Sequence, residues 1–194
     1  MLRVISGKYK GKRLRMVRSE KVRPMPHKLK ETIFNIVHFD IPDISILDGF
    51  AGTGSLGIEA LSRGAREVYF IDDFYPAIKA IKTNIKRCEA ESSTRVIHKE
   101  FNRAVIMLAK EKKIFDLVFL DPPYLLVEER DPLKVIYKRK LLSRGGIIVL
   151  RHHFKTRFES KYFELKRKMR VADDVLEFYG FEESEASEKE DEEN

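Results

Sequence analysis

Cysteine occurs once, at Cys88, so the chain can form no intrachain disulfide and suits a reducing compartment. Within a helical pattern that thiol reads most simply as a small buried hydrophobe. Apolar runs are short as well. None approaches the roughly 20 residues that cross a bilayer, and the opening Met1-Leu-Arg-Val-Ile-Ser-Gly-Lys8 lacks a signal peptide's hydrophobic stretch. A soluble, cytoplasmic protein with no membrane partner is expected. Histidine spacing offers no metal site: His152 and His153 are adjacent and would point to opposite sides of an extended chain, and His27, His38 and His98 stand apart. Acid is nearly missing from the opening, where Arg3 to Lys30 holds eleven Lys or Arg against the single acid Glu20.

The charge that is present is divided. Residues 182–194 carry eight acids and one lysine, so the net charge of +7 separates into +14 on residues 1–181 and −7 on an acidic tail that is expected to be disordered. The basic opening suits phosphate contacts and a nucleic-acid partner. Within it, Leu2-Arg-Val-Ile-Ser6 and Arg13-Leu-Arg-Met-Val17 flank Gly7-Lys-Tyr-Lys-Gly11, which predicts a β-hairpin in a leader of residues 1–25. Lys8, Tyr9 and Lys10 would lie at its tip. With Lys12, Arg13 and Arg23 they are the candidate RNA contacts, the Tyr9 ring either stacking on RNA or packing back onto the hairpin.

From residue 26 to residue 181 the pattern is that of one α/β domain. Pro26 suits a helix's first turn, and Leu29, Ile33, Ile36 and Val37 recur at helical spacing. Strand and helix then alternate through 44–48, 54–63, 67–72, 76–87, 94–98, 103–112, 115–121, 132–142 and 147–151. That alternation predicts a doubly wound parallel sheet with covering helices. Segments 163–170 and 175–180 read as a closing antiparallel pair around the turn Ala172-Asp173-Asp174. Ligands of such sheets gather at the strands' carboxyl ends, where Asp48, Asp72, Glu100 and Asp121 fall.

Two motifs carry the chemistry. Ile46-Leu-Asp48-Gly-Phe50-Ala51-Gly52-Thr53-Gly54-Ser-Leu-Gly57 is an apolar strand running into a glycine-rich turn and a helix, a loop that lets backbone N–H groups approach a ligand. Its Gly52-Thr-Gly54-Ser-Leu-Gly57 satisfies G-x-G-x-x-G, which would suit a dinucleotide pyrophosphate. Asp72 would accept from a ribose hydroxyl of either a nicotinamide cofactor or S-adenosylmethionine. Asp48 tips the balance, since a carboxylate suits the ammonium of a methionyl group and is ill placed beside a pyrophosphate. Candidate cofactor contacts are Asp48, Phe50, Ala51, Gly52, Thr53, Gly54 and Asp72, with Glu100 and Phe101 after the third strand.

The second motif is Asp121-Pro122-Pro123-Tyr124, at the end of an apolar strand. An exocyclic amine on a nucleobase is a poor nucleophile because its lone pair is delocalised into the ring. Acceptors on both N–H bonds draw that lone pair out. The Asp121 carboxylate and the Pro122 carbonyl can supply them, the two prolines fixing the loop backbone. The Tyr124 ring would stack on the base, a contact worth roughly 1–3 kcal/mol. These four residues are the candidate catalytic set.

With these residues in view, the chain resembles the RsmD-type methyltransferases, which modify a guanine N2 amine of small-subunit (16S) ribosomal RNA. The resemblance covers most of residues 2–152: the opening Arg3-Val-Ile-Ser-Gly-Lys-Tyr-Lys-Gly-Lys-Arg-Leu14, Arg23-Pro24, Glu31-Thr-Ile-Phe34-Asn35, the long glycine block to Ala65, Asn84, and Phe115 to Tyr124. It implies a Rossmann-like class I methyltransferase fold with an N-terminal hairpin extension, S-adenosylmethionine as donor, and ribosomal RNA or the small subunit as partner. The chain departs from the pattern at Met25, where a threonine is usual, at Asp72 for a glutamate, at Glu100, and at Arg151-His152-His153 for a stretch that often begins with glutamate. D-P-P-Y also occurs in adenine-N6 methyltransferases, so that activity is one alternative. A nicotinamide-dependent oxidoreductase and a non-enzymatic RNA-binding assembly factor are the others.

Overall fold

The computed structural model describes residues 2–19, 22, 25–37, 41–123 and 131–182. Seven strands form one sheet: β1 (Ser45–Gly49), β2 (Glu67–Asp72), β3 (Thr94–His98), β4 (Phe115–Leu120), β5 (Leu142–His153), β6 (Glu164–Val171) and β7 (Asp174–Gly180). Their order is β3-β2-β1-β4-β5-β7-β6, with β3, β2, β1, β4 and β5 parallel and β7 antiparallel to both β5 and β6. The helices are α1 (His27–Ile36), α2 (Ser55–Ser62), α3 (Tyr75–Cys88), α4 (Phe101–Lys110) and α5 (Pro132–Lys138).

The central strands β1, β2 and β4 are mainly apolar because both faces are covered. Alternate residues divide between two cores. Ile46, Val68, Phe70, Leu117, Phe119 and Val149 pack with α1, α2 and α3. Leu47, Tyr69, Ile71, Val118, Leu120 and Leu150 pack with α4 and α5. Cys88 is buried in the first core, as its helical setting predicted.

At the centre of the sheet β1 and β4 lie side by side, Gly49 opposite Leu120. The chain leaves β1 for the α2 face and β4 for the α5 face, so a crevice opens between the two exits. The register therefore brings Asp121 to the root of the glycine loop, although 72 positions separate Gly49 from Asp121 in sequence.

The leader doubles back as expected, but it makes one antiparallel bridge, Arg3 with Arg13, in place of two regular strands. Its shape is imposed by what it lies on. The Lys8 and Tyr9 amides donate to the Ser62 carbonyl and hydroxyl at 2.7 and 2.8 Å, and the Ile5 and Ser6 amides donate to the buried Glu59 carboxylate at 2.7 and 2.9 Å. Gly7 is obligatory there: its φ is +79°, and a Cβ would stand 1.7 Å from the Ser62 carbonyl oxygen. Lys30, one of the opening's eleven cations, is buried and spent on Glu59 at 3.2 Å and the Arg3 carbonyl at 2.9 Å.

Two expected boundaries move by more than two residues. α5 ends at Lys138 and β5 begins at Leu142, where Leu142-Ser-Arg-Gly-Gly has no strand-like alternation. Leu142 pairs with Phe115, and the register then shifts so that the next pair is Ile147 with Leu117, the extra residues standing on β5. Asp174 also leaves the expected turn: it is the first residue of β7 and is buried.

Candidate active site

A cleft of about 760 Å³ occupies the carboxyl ends of β1, β2 and β4. The glycine loop forms its floor. Gly52 and Gly54 hold φ of +56° and +73°, and Gly54 is the residue before α2. Gly57 lets α2 lie close on β2, since a Cβ there would come within 2.4 Å of the Phe70 ring. Its amide donates to Asp48 Oδ2 at 3.0 Å. The Asp48 carboxyl is pushed well above the ordinary carboxylate range by burial, against the Gly57 hydrogen bond, with Asp121 and Asp72 adding to the rise.

Asp72 closes the loop from β2. One carboxylate oxygen accepts from the Gly52 amide and the other from the Phe74 amide, each at 2.8 Å. Burial raises its pKa while those two donors oppose the rise. Phe50, at φ +66°, stacks its ring on Phe101 with centroids 4.7 Å apart. A non-glycine residue in that backbone region stores strain, which commonly marks a ligand site. Glu100 caps α4, accepting from the Arg103 amide at 3.1 Å, and lines the cleft beside Phe101.

Asp121, Pro122 and Pro123 form the wall across from this loop. Tyr124, the fourth residue of the motif, lies outside the described residues. Arg151, at the end of β5, donates from Nη1 to both Asp121 oxygens at 3.0 and 3.3 Å, and from Nε to Asp174 Oδ1 at 3.0 Å. Burial raises the Asp121 pKa and the Arg151 guanidinium opposes that rise.

The cofactor candidates other than Gly54, which packs against Ile81 and Phe70, thus converge with the described part of the D-P-P-Y motif in one cleft. The described candidate RNA residues, Lys8, Tyr9, Lys10, Lys12 and Arg13, do not line it and lie on the leader. Lys8, Lys10 and Arg13 are exposed there, and the Lys12 ammonium donates to the Arg87 carbonyl at 2.9 Å. Tyr9 corrects the stacking expectation: its ring is buried in the α1–α3 core, flanked by the Lys8 and Lys12 ammonium groups at 5.4 and 5.5 Å. Arg23 lies outside the described residues. Sequence reasoning gave no role to Asn84, which accepts from the Arg15 amide at 2.6 Å and donates to the Arg15 and Thr53 carbonyls, tying leader to glycine loop. It also missed the Arg151–Asp174 support of Asp121, for which the only sequence signal was Arg151's place at a strand's carboxyl end.

Residues 2–180 match the family described as conserved hypothetical protein 95. The chain belongs to this RsmD-type methyltransferase family. Among its relatives, YlbH of Bacillus subtilis, named as a candidate rRNA methyltransferase, is 39% identical over 78% of this chain and 82% of its own length. Ribosomal RNA small subunit methyltransferase D of Haemophilus influenzae is 36% identical over 76% of each chain. A solved structure of a methyltransferase candidate from Escherichia coli, YhhF, superposes with a TM-score of 0.80 at 25% identity, covering 93% of this chain and 98% of its own. Family and fold agree on a Rossmann-like class I methyltransferase architecture.

The cleft fits that family's methyl donor. Gly52 lets backbone approach a ligand from the cleft floor, the buried Asp48 offers a carboxylate to an ammonium group, and Asp72 stands one strand over for a ribose hydroxyl.

Proposed function

We propose that this protein is an S-adenosylmethionine-dependent methyltransferase acting on an exocyclic nucleobase amine, the N2 amine of a guanine in small-subunit ribosomal RNA. One observation carries the reading: the glycine loop, Asp72 and the Asp121-Pro122-Pro123 segment line a single cleft. The relatives named for small-subunit ribosomal RNA methylation support the substrate class.

S-adenosylmethionine supplies an electrophilic methyl on a sulfonium. Asp48 would hold the ammonium end and Asp72 the ribose end, with Phe50 and Phe101 as apolar surface between Asp72 and Glu100. Asp121 and the Pro122 carbonyl accept the two amine N–H bonds and turn the nitrogen lone pair toward the donor, a contribution of positioning and charge complementarity. Amines become acidic as they are alkylated, so Asp121 can take the departing proton late in the step. A target base in structured RNA has to be splayed out to reach this cleft.

The leader would bind phosphates through Lys8, Lys10 and Arg13, orienting RNA without reading its sequence. The division into a leader of residues 1–25, a catalytic domain of residues 26–181 and an acidic tail of residues 182–194 is part of this proposal. Only Glu182 of that tail is among the described residues.

The deciding experiment supplies the purified protein with labelled S-adenosylmethionine and either naked small-subunit RNA or small subunits from cells lacking the gene, then analyses the nucleosides by mass spectrometry. N2-methylguanosine is expected. N6-methyladenosine would replace the base assignment, and no methyl incorporation into either substrate would overturn the enzyme reading.

A further inference from the structure

Asp121 carries the amine contact in the proposed reaction, so what fixes its carboxylate bears on the chemistry, and the inference below rests on that reading. Arg151 reaches it from β5. The guanidinium spans two carboxylates: Nη1 bridges both Asp121 oxygens and Nε bonds Asp174, which enters from the first position of β7. Two nitrogens in a planar fork are needed for that span, a geometry lysine cannot reproduce. The Arg151 side chain is 6% exposed and that of Asp121 is 23%, so the carboxylate is the member of the pair that opens toward the cleft. Nη1 takes one acceptor position on each oxygen, and a carboxylate has about four.

We propose that Arg151 is the positioning residue for Asp121: braced by Asp174, it holds the carboxylate plane so that its remaining acceptor positions meet the target amine. Among the described residues, the charged groups facing Asp121 are Arg151 from β5, Asp174 from β7 and Asp48 from β1. Only the first favours the carboxylate form. Arg151 therefore also sustains the ionised Asp121 that an amine acceptor must be, against burial and two neighbouring acids. A guanidinium acting only as a fold tie would leave that carboxyl's titration, and the acid limb of turnover that follows it, unmoved when it is removed.

The test pairs two readouts on Arg151→Gln, Arg151→Lys and Asp174→Asn. One is the titration of the Asp121 carboxyl by carbon NMR, assigned with Asp121→Asn. The other is the pH dependence of kcat on ribosomal RNA, with S-adenosylhomocysteine affinity measured alongside. In Arg151→Gln the Asp121 titration and the acid limb of kcat should both move to higher pH, with kcat down roughly tenfold or more at mildly acidic pH, partly regained under alkaline conditions. Arg151→Lys should fall between. Cofactor affinity should stay within about twofold. Should Arg151→Gln not fold, Asp174→Asn keeps the guanidinium and an acceptor for its Nε but removes the charge of its brace, and a lowered kcat at unchanged RNA KM is expected. Folded variants with reduced melting temperature but unmoved titration and acid limb would overturn the proposal. Full methylation by Asp121→Asn would instead overturn the catalytic reading, while the titration arm still reports on the clamp.

Discussion

Asp72 at the end of β2 accepts a hydrogen bond from the Gly52 amide at 2.8 Å, so the acid proposed to bind cofactor also shapes the loop proposed to bind it. Its second oxygen fixes the Phe74 amide at the start of α3. Loop and acid are one unit, and changing either should disturb both ends of a bound methyl donor.

Asp72→Ala should therefore weaken S-adenosylhomocysteine binding by more than a lost ribose contact alone. Hydrogen bonds to charged groups contribute about 1.5–3 kcal/mol, which corresponds to roughly 10- to 150-fold in Kd. Titration calorimetry measures it, and an unchanged Kd would remove Asp72 from the cofactor site.

Asp48 gives a pH-dependent prediction. Its folded pKa lies above its unfolded value, so the folded chain holds the extra proton between the two, and stability falls as pH rises through the folded pKa. Asp48→Asn keeps an acceptor for the Gly57 amide and removes the titration. The variant should melt higher than the parent at neutral and alkaline pH, with the gain vanishing below the ordinary aspartate range. Cofactor affinity should drop in the same variant. A stability gain that persists undiminished in acid would contradict burial as the cause.

The leader's side chains can be separated from its docking. Lys8 and Tyr9 are anchored through backbone amides on Ser62, so neutralising Lys8, Lys10 and Arg13 leaves those hydrogen bonds in place. RNA binding should weaken, and its salt dependence should flatten by roughly 0.7–0.9 in slope per lost phosphate contact. Unchanged cofactor affinity is the control. If the slope does not change, the leader is a cover for α2 and α3 and RNA is held elsewhere.

Away from the cleft, Glu177 on β7 gathers the Lys168 ammonium at 2.7 Å, His152 at 3.4 Å and the Tyr179 hydroxyl at 2.6 Å. Burial raises its pKa, but those partners outweigh burial and bring it down to about 2. Its folded pKa is thus depressed, so its stabilisation is present above the ordinary glutamate value and lost as pH falls toward about 2. Glu177→Ala should destabilise the fold by about 3 kcal/mol, the low end for breaking a buried pair, because Lys168 is 53% exposed and regains water. Urea denaturation at neutral and acidic pH tests both statements.

The strand–helix alternation was legible in the sequence because the central strands, buried on both faces, carry short apolar runs and the apolar residues of their covering helices recur at helical spacing. The glycine loop was legible for a similar reason: only glycine tolerates the positive φ of Gly52 and Gly54 without strain, and the acids proposed to hold the cofactor fall at strand ends. The β5 start at Leu142 was not, because pairing with Phe115 overrides a local sequence with no strand preference. The burial of Tyr9 was equally hidden, since an aromatic between lysines reads the same whether it faces solvent or the core.

The sequence by itself determined the fold class, the loop chemistry and the family, because each depends on residue type at short spacing. Tertiary structure decided which charges are free to act. Lys30 is consumed by Glu59 and the Arg3 carbonyl, while Lys8 and Lys10 stay outside. It also decided what stands behind Asp121. Arg151 and Asp174 are 23 residues apart and come together only through the antiparallel pairing of β5 with β7, where His153 lies opposite Asp174. Such contacts are set by register across the sheet, a long-range quantity that no local pattern encodes.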